Sequence, residues 1–137
     1  MQISAYLNFT GECEEAFTFY QQIFGGKIEG LFRYGGSPMA GQMPPGFENK
    51  IMHIRLVTDH SEIMGADSPP GQGGGAAKRF CMSIGLKDTA EAERIFNGLA
   101  EGGNVQMPLQ QTFWAARFGM LLDRFGIPWM INCEAPK

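Results

Sequence analysis

Residues 3–9, ISAYLNF, set Ile3, Ala5, Leu7 and Phe9 against Ser4, Tyr6 and Asn8, the two-residue period of a strand with one face on a core. Thr10 follows, and then Glu12, Glu14 and Glu15 stand where a helix N-terminus favours negative charge; Ala16, Phe17, Tyr20 and Phe24 recur at helical spacing until Gly25-Gly26 stops the element. The same order returns later. RFCMSIGLK over 79–87 reads as a strand, Asp88 with Glu91 makes a capping-box-like start, Ala92, Ile95, Phe96 and Leu99 form an apolar stripe, and Gly102-Gly103 ends it. The two halves are in register, since Leu7 to Ile84 and Gly25 to Gly102 are the same separation (84 − 7 and 102 − 25 both give 77).

Three strand-like runs follow each helix: KIEGLFRYG, KIMHIRLVT and EIMGA in the first half, NVQMPLQQ, ARFGMLLD and PWMINCE in the second. Each half therefore predicts β-α-β-β-β, with module one at 1–67, a linker of flexible composition at 68–78 and module two at 79–137. Asp59 and Asp123 read as equivalent turns 64 residues apart (123 − 59), which leaves about 13 extra residues (77 − 64) in the first half. GGSPMAGQMPPGFE is that insertion, an irregular loop whose length suits either a binding lid or a floppy surface excursion.

Two such modules in tandem, with a D-x-F-G turn before the final strand, resemble the vicinal oxygen chelate superfamily of glyoxalase I, bleomycin-resistance proteins and extradiol dioxygenases. YLNFTGECEEAFTFYQQIFGG, SPMAGQMPPGF with KIMHIRL, and MPLQQTFWAARFGMLLDRFGIPWMIN are similar to its PhnB-like branch over nearly the whole chain. The resemblance implies an α+β fold in which each module forms a curved mixed sheet, a cup for a small molecule, and a homodimer. In metal-using members the ligands are His or carboxylates on the first and last strands of each module. By register those positions are Ser4 and Cys81, then Met64 to Ala66 and Met130, a donor set unsuited to a hard or borderline divalent ion. The expectation is accordingly no metal and no cofactor. PhnB-like chains often carry a histidine before the last tryptophan, where this sequence has Pro128. Some bear names from ubiquinone methylation, yet no glycine-rich nucleotide-cofactor loop is present in this sequence.

Strand parity then names the candidate site. If Ile3, Ala5, Leu7 and Phe9 pack under the helix, Ser4, Tyr6 and Asn8 face the cup, and the 77-residue offset adds Cys81, Ser83 and Gly85. Met52, Ile54 and Leu56 take the helix side, leaving His53 and Arg55 for the cup, and the offset of 64 makes Arg117 the counterpart of His53. Trp129 alternates with Ile131 and Cys133 towards the core, which turns Met130 and Asn132 to the cup; Trp114, at a strand entry, walls the pocket. The ligand-binding set is Tyr6, His53, Arg55, Cys81, Ser83, Trp114, Arg117 and Met130. Each has a structural alternative: a half-buried tyrosine, arginines paired with Asp67, Glu62 or Asp123, a structural histidine, a buried thiol.

Composition bounds the partners. With 137 residues, 44% hydrophobic, 18% charged and a net charge of −3, the chain suits one globular domain and offers no broad basic surface for nucleic acid. Cys13, Cys81 and Cys133 lack zinc or disulfide spacing, and no apolar run approaches the ~20 residues of a membrane span, so a cytoplasmic protein without membrane or nucleic-acid partners is expected. Two functions are open: binding of a small oxygen-rich or anionic molecule without a metal, and enzymatic turnover of a small oxygenated substrate, in which Tyr6, His53 and Arg55 supply acid–base and anion-holding groups.

Overall fold

The computed structural model describes residues 1–38, 40–69, 80–112 and 114–135. Residues 70–79, which take in most of the 68–78 linker, lie outside the described residues, as do Met39 of the insertion, Phe113 and residues 136–137. The chain divides into two units, Met1–Gly75 and Ala76–Lys137. The first runs β1 (Ala5–Phe9), α1 (Cys13–Phe24), β2 (Lys27–Arg33), a short 3-10 turn at Ala40–Gln42, β3 (Ile51–Val57) and β4 (Glu62–Asp67). The second runs β5 (Met82–Leu86), α2 (Thr89–Ala100), β6 (Asn104–Gln110), β7 (Ala115–Leu122) and β8 (Pro128–Glu134). Each unit is thus β-α-β-β-β, an α+β architecture with a four-stranded mixed sheet in the order β1-β4-β3-β2 or β5-β8-β7-β6. In both, the first strand runs parallel to the last and the other pairings are antiparallel.

One face of each sheet carries its own helix. Gly65 on β4 lies so close to α1 that a Cβ there would sit 2.7 Å from the Phe17 ring, and Gly119 on β7 would meet Phe96 of α2 at the same distance. The cores follow: Leu7, Phe9, Ile54, Leu56 and Ile63 close on Ala16, Phe17 and Tyr20, and Leu121, Trp129, Ile131 and Cys133 belong with Ala92, Ile95, Phe96 and Leu99. Ile3 departs from its expected place. It precedes β1 and is 92% exposed, because pairing with β4 begins only at Ala5.

The glycine doublets do more than end helices. Gly26 has φ of 87° and a Cβ there would stand 2.3 Å from the Val57 carbonyl oxygen; at Gly103 the equivalent clash is with Leu122 at 2.2 Å. Only a residue without a side chain lets the helix exit lie against the third strand of its module.

Helix α1 begins without a side-chain cap of its own. Asp67, at the far end of β4 and 1% exposed, supplies one. Its Oδ1 accepts from the backbone N–H of Gly11 (2.8 Å) and Cys13 (3.0 Å), and its Oδ2 from Ile51 N–H (3.0 Å), tying the β1–α1 turn to the start of β3. In α2 the local signal suffices, since Asp88 accepts from Ala90 N–H at 3.1 Å. The second module's buried carboxylate is Asp123, whose Oδ1 takes the N–H groups of Phe125 and Ile127 and whose Oδ2 takes Trp129 Nε1 at 2.9 Å. This network is the physical content of the D-x-F-G turn, with Gly126 at φ 85° completing it.

The inserted segment has a fixed root. Tyr34 and Phe47 are buried against one another with ring centroids 5.1 Å apart, and Tyr34 donates to the Asp67 carbonyl at 2.7 Å. Arg33 makes a two-pronged pair with Glu14 and also donates to Asn49 O at 2.7 Å.

Asp67→Ala removes the acceptor of three backbone N–H groups, so it should cost about 3–5 kcal/mol of stability, and Asp67→Asn less. Urea unfolding of the purified variants measures both.

Candidate functional site

The helix-free face of the first module carries Tyr6 and Asn8 from β1, Met64 from β4, and His53 and Arg55 from β3, because each alternates with a residue packed on α1. Tyr6 Oη and His53 Nδ1 are 3.3 Å apart and hydrogen-bonded. When the phenol donates, the imidazole carries its proton on Nε2, leaving that N–H free to meet a ligand oxygen. Burial pushes the Tyr6 phenol above the usual tyrosine range, aided by Cys13 and Tyr34, so it stays protonated at neutral pH. Its ring remains 46% exposed.

Phe32 completes this group and has no place among the sequence candidates. It pairs with His53 across β2–β3, its ring 6.4 Å from the imidazole, and it is 54% exposed. The register shifts between Glu29 and Phe32, and Gly30 there has φ of 64°. A bulge at this glycine re-aims Phe32. The glycine inside KIEGLFRYG was the available signal.

Arg55 reaches the expected face but is held there. Nη2 donates to Glu29 at 3.0 Å and Nη1 to Glu62 at 3.3 Å, so two carboxylates surround one guanidinium. An arginine so matched is a poor clamp for an incoming anion.

On the helix-free face of the second module, Ser83, Met130, Met120 and Met107 form one row across four strands, and Gly85, Asn132, Phe118 and Gln110 form the next. Trp114 is 50% exposed and packs edge-on against Phe118, centroids 5.3 Å apart. Trp129 is 2% exposed on the helix side, so the two tryptophans take opposite roles as the alternation implies. Cys81 lies one residue before β5, half-buried.

Arg117 is not on this face. It pairs with Cys133 in the set that includes Gly119 and Leu121, and its Nε donates to Glu93 of α2 at 3.2 Å. The cause is that Asp59 and Asp123 are not equivalent turn positions. Val57 and Glu62 flank Thr58–Ser61, whereas Leu122 and Pro128 flank Asp123–Ile127. Asp59 is second in its turn and Asp123 first, so the true offset between β3 and β7 is 122 − 57 = 65, and the counterpart of His53 is Phe118. A slip of one residue sends a side chain to the other face.

The metal positions implied by the superfamily do not fit a hard or borderline cation here. Ser4, Met64 and Met130 provide hydroxyl and thioether groups. Among the described residues no three His, Cys, Asp or Glu side chains converge, and no helix is long and apolar enough to cross a membrane.

With fold and site in view, the class is defined: the chain belongs to the Glyoxalase/Bleomycin resistance protein/Dioxygenase superfamily, whose family model matches residues 2–131, and within it to the PhnB-like branch. Protein YjdN of Escherichia coli K12 is 34% identical over 96% of this chain and 95% of its own length. Protein PA1353 of Pseudomonas aeruginosa is 48% identical, with a TM-score of 0.88 over 98% of both chains. The PhnB protein of Bacillus cereus, which carries a provisional assignment as a 3-demethylubiquinone-9 3-methyltransferase, is 26% identical with a TM-score of 0.82, over 97% of this chain and 99% of that one.

The thiols divide by environment. Burial, then the carboxylates of Asp67, Glu12 and Glu14, push the Cys13 thiol far above its ordinary range, and Cys133 is fully buried. Iodoacetamide at pH 8 should alkylate Cys81 in the native protein and spare Cys13 and Cys133 until denaturant is added, as read by peptide mass mapping.

Proposed function

We propose that this protein binds a small, oxygen-bearing molecule on the helix-free face of its first module, without a resident metal. The observation that carries this reading is the Tyr6–His53 hydrogen bond at 3.3 Å, exposed on a face that its own helix does not cover. A phenol and an imidazole so joined offer a donor and an acceptor a few ångströms apart, which suits a hydroxyl or carbonyl group. Phe32 beside His53 gives the apolar wall that most small-molecule sites need. The anionic part of the expectation loses its support, because Arg55 is neutralised by Glu29 and Glu62 and Arg117 is engaged by Glu93.

A second reading, turnover of the same class of molecule, is favoured by the same pair, since a tyrosine protonated at neutral pH and hydrogen-bonded to a histidine is an acid–base couple. It differs in requiring product formation. Methyl transfer finds no support in the residues of either face.

A metabolite library screened by thermal shift supplies the ligand. Calorimetry should then show Tyr6→Phe and His53→Ala weakening it about fivefold or more, while Arg117→Ala leaves affinity unchanged. Full affinity in both of the first two variants would sink the reading.

The same proposal includes a homodimer. The edge strands β2 and β6 expose Leu31, Phe32, Val105 and Met107, apolar side chains that an unpaired edge in solution seldom carries. Light scattering at micromolar concentration should give twice the 15.1 kDa chain mass; a monomer peak there removes this part.

A further inference from the structure

Independently of the Tyr6–His53 site, the second module gathers sulfur. Met107 of β6, Met120 of β7 and Met130 of β8 stand at directly paired positions on three neighbouring strands. The row lies on the helix-free side, because Gly119 and Leu121, which alternate with Met120, face α2 or the core beneath it. Met107 reaches it through a bulge. Val105 pairs with Leu121, so regular antiparallel pairing would set Met107 opposite Gly119 on the α2 side; an extra residue on β6 turns it to Met120 instead. The first module's edge strand does the same at Gly30, where it turns Phe32 towards His53. Bulges on edge strands recur beside sites, where they re-aim one side chain.

Paired positions on neighbouring strands hold their Cβ atoms about 4.5–5.5 Å apart. An unbranched methionine carries its sulfur further, with free choice of rotamer, so three such thioethers can turn inward on one ion. Met107 is 38% exposed and the other two are half-buried, which leaves the row open to solvent. The donors decide which ion. Thioether sulfur is soft and neutral, and it selects copper(I) over zinc or calcium. The next row, Gly85, Asn132, Phe118 and Gln110, holds no carboxylate that would offset a second charge. Two of the three sulfurs come from the module's second and third strands, apart from the first- and last-strand positions that metal-using relatives employ.

We propose that Met107, Met120 and Met130 form a three-coordinate site for a monovalent soft cation, copper(I) or its redox-inert analogue silver(I). Methionines that only fill the face predict neither binding nor concerted behaviour of the three.

Silver(I) nitrate in chloride-free buffer is the probe, added to protein with carbon-13 in its methionine methyl groups. The Cys81→Ser background is used, since an accessible thiol alone holds silver. One equivalent should shift the Met107, Met120 and Met130 signals together and leave the other methionines in place, and zinc(II) at the same concentration should move none. Because donors fixed on one sheet act together, Met120→Leu and Met130→Leu should each weaken silver binding at least about tenfold. Leucine nearly conserves the volume of methionine, and if one variant fails to fold the other carries the test. Met82→Leu, on the α2 side with Trp129 and Leu121, should leave affinity unchanged. Absence of shifts at one equivalent, separate titration of the three methyl groups, full affinity in a folded Met120 or Met130 variant, or an equal response to zinc each overturns the proposal.

Discussion

The buried carboxylate of Asp67 fixes the geometry on which the first module depends. Its two oxygens hold the N–H groups of Gly11, Cys13 and Ile51, three points that belong to three separate elements. A charge with 1% exposure is tolerable only when its lone pairs are filled, and backbone donors fill them without needing a cation. Through this group β4 is locked to the start of α1 and to the first residue of β3, the strand that presents His53. Tyr34 extends the lock by donating to the carbonyl of the same residue, and with Phe47 it anchors the inserted loop. Asp123 does comparable work in the second module over a shorter range, shaping one turn and orienting Trp129.

Once the strands are fixed, the faces are decided by parity, and parity is decided by turn length. The modules share an architecture but differ by one residue in the turn before the last strand. The contrast between the two helix-free faces, however, lies in which residues stand at equivalent strand positions. The first carries a phenol, an imidazole and a matched arginine; in the second, phenylalanine and methionine occupy the places equivalent to His53 and Arg55. The two halves therefore repeat a fold without repeating a chemistry.

Most of the fold was legible in the sequence because its signals are local. Strand-like runs marked all eight described strands to within a few residues, helical spacing and glycine doublets marked both helices, and the repeat tied the halves together. Ile3 misled because it continues the alternation beyond the point where β4 offers a partner. The site was legible where parity could be read within a module, as at Tyr6, His53, Arg55 and Met130, and where the helix-anchored offset of 77 carried it across, as at Ser83. Arg117 failed because its assignment was carried across modules on a turn aspartate, and no property of the residues themselves reports a turn one position longer. Phe32 was missed for a related reason, since a bulge breaks the alternation that the eye follows.

The polar groups also argue about what kind of ligand the protein can take. Both arginines expected at the site are engaged by carboxylates, Arg55 by two of them, so an incoming anion must compete with those carboxylates for each guanidinium. Neutral hydrogen-bonding groups face no such competition. Tyr6, held protonated at neutral pH, is hydrogen-bonded to His53, and the imidazole stands beside the Phe32 ring. For the proposed first-module site this arrangement assigns affinity to apolar contact and selectivity to the polar atoms, so substitution of Tyr6 should change which molecule binds more than how tightly apolar molecules bind.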